Sequence, residues 1–77
     1  MAEPTLEDLI LRLRRLGYPR LELFGLGGGY GGVTCRIRGG QGEELVINRA
    51  TDRAVVQALL RAVEAMEVSR QWQLAWK

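Results

Sequence analysis

The chain has 77 residues, 47% of them hydrophobic and 26% charged, with 11 basic side chains against 9 acidic ones. That composition describes one small domain, too apolar for a disordered tail and too charged for a membrane span, and a net charge of +2 is too even to require a polyanionic partner. A single cysteine and no histidine exclude an internal disulfide, a zinc cage and a Ser–His or Cys–His nucleophile pair.

The first helix is signalled by its cap. Thr5 is placed as N-cap, Asp8 stands three residues on to complete a capping box, and Pro4 lies just outside. Leu6, Leu9, Ile10, Leu13 and Leu16 recur at helical spacing and form one apolar stripe. Arg12 follows Asp8 by four residues, the favourable acid-before-base order for a pair on one helix. Gly17 supplies a left-handed stop, and Pro19 forbids continuation.

Arg20-Leu21-Glu22-Leu23-Phe24 alternates as a strand does. After a glycine-rich stretch, Val33, Cys35 and Ile37 alternate with Thr34, Arg36 and Arg38, the pattern of a half-buried antiparallel strand. Gly39 to Gly42 reads as a tight connection, and Glu43 to Ile47 as the returning strand. Thr51 caps a second helix whose inner stripe is Val55, Leu59, Ala62, Val63 and Met66. The tail is ambiguous: Trp72, Leu74 and Trp76 alternate, while Trp72 and Trp76 also stand four apart. The alternation favours a short strand or extended aromatic C-terminal element. The expected fold is α+β, a three-stranded antiparallel sheet with both helices on one face, in the order α-β-β-β-α and as a single domain over residues 1–77.

Gly27, Gly29 and Gly32 satisfy a G-x-G-x-x-G string, yet a phosphate-cradling loop of that kind must run from a strand into a helix. This one joins two strands, so it reads as a flexible hairpin loop, with the alternative of a binding loop carrying Tyr30 at its tip. Arg36, Arg38, Arg49, Arg53 and Arg61 are the candidates for a nucleic-acid surface, set against a solvated mixed surface with interspersed acids. Trp72 and Trp76 are either partner anchors or core residues. Cys35 alternates with Val33 and Ile37 and reads as a small buried hydrophobe. The carboxylates form no evident pair, which argues against an enzyme, and no cofactor is implied. The first residues show no basic and apolar leader, and the lone cysteine fits a reducing compartment, so a cytoplasmic, membrane-free protein is expected.

The element order is shared with double-stranded-RNA-binding domains and with small messenger-RNA-cleaving toxins; the latter use a catalytic histidine that this chain lacks. A further likeness rests on Leu6-Glu7-Asp8-Leu9-Ile10, Tyr18, the turn from Arg38 to Gly42, Glu44-Leu45-Val46-Ile47 and Val55-Val56. Together these resemble the type II-A anti-CRISPR proteins, phage-encoded inhibitors of Cas9, over residues 6–60. The resemblance implies a stoichiometric inhibitor that docks where the PAM duplex binds and offers carboxylates to the PAM-reading arginines. Glu44 matches an acidic turn position of that family, with Glu43 beside it, whereas Gly17 and Gln41 stand where the family carries acids.

The expected function is therefore a non-enzymatic protein-binding module of the phage or mobile-element inhibitor kind, with a Cas nuclease as the implied partner. Tyr30, Glu43, Glu44, Trp72 and Trp76 are its expected contacts. The alternative is a nucleic-acid-binding domain of double-stranded-RNA-binding-like topology that uses the five arginines. A homodimer pairing edge strands or burying the tryptophans is the third arrangement.

Overall fold

A computed structural model describes residues 4–25 and 31–75, with side chains as far as Arg70. The elements run α1 (Leu6–Arg15), β1 (Arg20–Phe24), β2 (Val33–Arg38), β3 (Glu44–Arg49) and α2 (Asp52–Ala75), the α-β-β-β-α order of an α+β domain. The strands form an antiparallel meander with β2 in the centre.

α1 begins as its sequence dictates. Thr5 Oγ1 accepts from the Asp8 N–H at 3.2 Å, and Asp8 Oδ2 accepts from the Thr5 N–H at 3.1 Å, so two of the helix's orphan donors are satisfied reciprocally. This spends the Asp8 carboxylate on the cap. Arg12, expected to pair with Asp8 along the helix, instead reaches across to α2, where its Nε donates to Glu67 Oε2 at 3.0 Å and its Nη2 bonds Oε1. Gly17, at φ +97°, ends the helix in the left-handed conformation. Arg70 of α2 then donates to the Arg15 carbonyl at 2.5 Å, satisfying one of the open acceptors at the end of α1.

The core is one cluster. Leu9 and Leu13 of α1, Val33, Cys35 and Ile37 of β2, Ile47 of β3, and Val55, Leu59 and Val63 of α2 are all buried together. The central strand is buried on one face only, since Thr34, Arg36 and Arg38 lie on the other. α2 packs on β2 and β3, and α1 packs on α2, so the helices cover a single side of the sheet. Cys35 is fully buried, and burial pushes its thiol pKa up, which keeps it protonated and unreactive.

The third strand and the tail differ from the expectation. β3 begins at Glu44, one residue later than expected, and extends to Arg49, because its ladder runs from Arg38↔Glu44 to Thr34↔Asn48 and Val33↔Arg49. Asn48 adds side-chain stitches there, its Nδ2 donating to Thr34 Oγ1 at 2.8 Å and to the Gly31 carbonyl at 3.1 Å. The second correction concerns the tail: residues 71–75 continue α2 and are not a strand. No glycine or proline follows Thr51, and adding a residue to an existing helix costs little compared with nucleating a new element. The period-two spacing of Trp72 and Leu74 was therefore a weaker signal than the absence of a stop. At 24 residues α2 is about 36 Å long, against about 20 Å for β2, so the helix overruns the sheet it covers.

The Arg12–Glu67 pair gives a pH prediction. The guanidinium hydrogen bond holds the Glu67 carboxyl below the usual glutamate range, more strongly than partial burial raises it. A carboxylate with a depressed folded-state pKa contributes stability above its unfolded pKa, and that contribution disappears as pH falls through the folded value. Unfolding free energy should thus decline through the acidic range more steeply in the parent than in Glu67→Gln. Both side chains are about one-third exposed (30% and 35%), so the difference should stay under about 1 kcal/mol. Urea melts of the two proteins at a series of pH values read it directly; parallel pH dependences would contradict the assignment.

Candidate functional site

With both helices on one side, no element among the described residues covers the other side of the sheet. Cross-strand pairing places its residues in three rows: Arg20–Arg38–Glu44, Glu22–Arg36–Val46 and Phe24–Thr34–Asn48. Phe24 and Val46 are 51% and 52% exposed on this face, large apolar groups among charges. An exposed aromatic amid hydrogen-bonding and charged neighbours is the composition of a contact surface.

Glu44 is held by its neighbours. Its Oε1 lies 2.9 Å from Arg36 Nε, and its Oε2 lies 3.8 Å from Arg38 Nε. The Arg38 Nε is itself shielded from solvent and lacks a hydrogen-bond acceptor, the 3.8 Å separation being too long for one. Glu43 is exposed in the turn, where its carbonyl accepts from the Gly39 N–H at 2.8 Å and its carboxylate sits over the position a Gly39 side chain would occupy. Glu43 and Glu44 share a groove of about 510 Å³ with Arg20, Arg38, Pro19 and the turn glycines. Two acids and two bases balance there. A carboxylate already engaged by two arginines is a poor donor of negative charge to a partner, so Glu44 does not stand ready in the way the PAM-mimic resemblance implies.

The five arginines do not form one surface. Arg36 and Arg38 stand on the uncovered face and share Glu44. Arg49 pairs with Val33, on the side of the sheet that carries the helices, and it lines a groove of about 270 Å³ with Ala54, Gln57, Ala58 and Arg61 of α2. Arg53 is exposed on the same helix. The sequence expectation that Arg49 lies on the second helix with Arg53 and Arg61 is corrected: Arg49 ends β3, because its ladder with β2 continues to Val33, and it lines the groove with Arg61 from the strand.

Tyr30 and Trp76 lie outside the described residues. Trp72 falls on α2, and its side chain is likewise outside the description. Among the described residues there is no group of three His, Cys, Asp or Glu side chains that would hold a metal ion. None of their helices is long and apolar enough to cross a membrane.

Comparison with protein-family models, with curated proteins and with solved structures finds no match for this chain. The fold places it among small α+β domains with a one-sided sheet, and its functional reading rests on the surfaces described above.

Proposed function

We propose that this chain is a non-enzymatic protein-binding module that acts as an inhibitor of a host defence nuclease, and that it binds through the uncovered face of its sheet. The observation that carries the reading is the half-exposed pair Phe24 and Val46, displayed on a face that no element of the described chain covers. Aromatic and aliphatic anchors surrounded by polar residues supply most of the energy of protein interfaces. The only described thiol is buried, and Glu44 is paired in place with Arg36 and Arg38, which supports binding over chemistry. The sequence resemblance selects guide-loaded Cas9 as the first partner to test.

The contact differs from the one the resemblance implies: it is centred on the sheet, with Glu43 and Glu44 at its margin. The parent chain should co-elute with guide-loaded Cas9 and suppress DNA cleavage at about one-to-one stoichiometry. A Phe24→Ser/Val46→Ser double variant should bind about tenfold or more weakly while keeping its thermal midpoint, since both side chains are already half in water. Equal inhibition by parent and variant would remove the sheet face from the interface. Absence of any inhibition by the parent would remove the nuclease assignment.

A further inference from the structure

The arginines of this protein are unequally matched with acids. Among the described residues, Arg12 is bound by Glu67, and Arg36 and Arg38 share Glu44. Arg49 and Arg61 take no part in those ion pairs, and both line a groove whose described lining holds no carboxylate. Its remaining walls are Gln57, with a side-chain amide, and Ala54 and Ala58, whose methyls leave the floor open. Residues 54, 57, 58 and 61 recur at helical spacing along one flank of α2, while Arg49 enters from the end of β3. Arg49 is positioned by a hydrogen bond from its Nη1 to the Asn48 carbonyl at 2.6 Å. Glu64, one turn beyond Arg61, belongs to an adjoining groove with Pro4, Val56 and Leu60 and makes no ion pair with Arg61.

We propose that this groove is a phosphate-binding site, in which Arg49 and Arg61 donate to the anion's oxygens and Gln57 adds its amide. Like charges brought together without a counter-charge repel each other, and an anion between them reverses that cost. Guanidinium forks match tetrahedral oxyanions, and two of them match a group that carries several oxygens and up to two negative charges. A carboxylate offers two oxygens and one charge, enough for one fork. The same grip serves a free phosphate ion and a nucleic-acid backbone phosphate, and the test distinguishes the two sources. This site is separate from the uncovered sheet face, so either can fail without the other.

The test is an amide-resolved NMR titration in a low-salt, phosphate-free buffer, with three probes: inorganic phosphate, acetate and a short RNA duplex. Phosphate should give saturable shifts at Ala54, Gln57 and Ala58, and acetate should bind about tenfold or more weakly. The Arg49→Gln/Arg61→Gln double variant should lose about tenfold or more in affinity, while Arg14→Gln, an exposed change on α1, should match the parent. Saturation by phosphate alone identifies a free ion as the ligand. Duplex binding that weakens steeply with salt and is lost in the double variant identifies a backbone phosphate. No saturable response to either, an equal response to acetate, or shifts unchanged in the double variant would overturn the proposal. Arg49 and Arg61 are both exposed, so the variants should fold, and their circular dichroism spectra and melts check it.

Discussion

Leu59→Ala is expected to lower the thermal midpoint by about 10 °C or more and to leave the protein partly unfolded at physiological temperature. Leu59 is 0% exposed in the first half of α2 and belongs to the cluster shared by both helices and the sheet. Truncating a buried leucine loses its transfer free energy and leaves a cavity, together about 2–5 kcal/mol. A domain of this length has only about 4–12 kcal/mol in total, and its single cysteine allows no internal disulfide to supplement it. The loss is therefore a large share of the whole. Urea or thermal melts followed by circular dichroism measure it, with Phe24→Ser/Val46→Ser as the contrast. The sheet-face variant should change binding with little change in midpoint, and the core variant should do the reverse. A Leu59→Ala midpoint within 2–3 °C of the parent, an estimate of the surface-substitution range, would mean that the core lies elsewhere.

Among the described glycines, Gly32 is the one whose added methyl would meet the most crowded backbone, so Gly32→Ala should be strongly destabilising. Gly32 sits at φ +74°, and a Cβ there would lie 2.4 Å from the Arg49 carbonyl oxygen and 3.3 Å from the Ala50 Cα. Left-handed backbone costs an alanine about 1–2 kcal/mol, and a collision with backbone atoms of the β3–α2 junction adds to that, for about 3 kcal/mol in all. Gly17 separates the two causes. It has φ +97° but open space where its Cβ would go, so Gly17→Ala should cost about 1 kcal/mol, the conformational part alone. Equal losses in the two variants would show that the close approach at Gly32 contributes nothing. Because the collision is with Arg49, the Gly32 variant should also perturb the groove shared with Arg61, visible as weakened phosphate binding in whatever fraction remains folded.

The pattern of success along the chain has a physical basis. The bounds of β1 and β2 follow from alternation alone, because a half-buried strand must place every second side chain in the core. The start of α1 follows from Thr5 and Asp8, since capping is decided within four residues. The expectation at the tail missed because alternation over five residues is short evidence, whereas α2 simply meets no stop before Ala75. The same local logic misassigned Arg12, whose neighbour Asp8 was already committed to the cap and whose actual partner, Glu67, is 55 residues away.

The sequence by itself determined the element order, the one apolar face of each strand and each helix stripe, and the exclusion of histidine- and disulfide-based chemistry. These are properties of spacing and composition, which need no knowledge of what lies across the fold. Tertiary structure alone decided where the charges went. Packing both helices on one side exposes Phe24 and Val46 on the other, and it neutralises Glu44 between Arg36 and Arg38. It also sets Arg49 and Arg61 along one groove whose described lining holds no acid. A net charge of +2 is the same number for any arrangement, and what it does depends on which opposite charges come within a few ångströms of each other. That distance is set by strand register and helix placement, and the order of residues along the chain leaves it open.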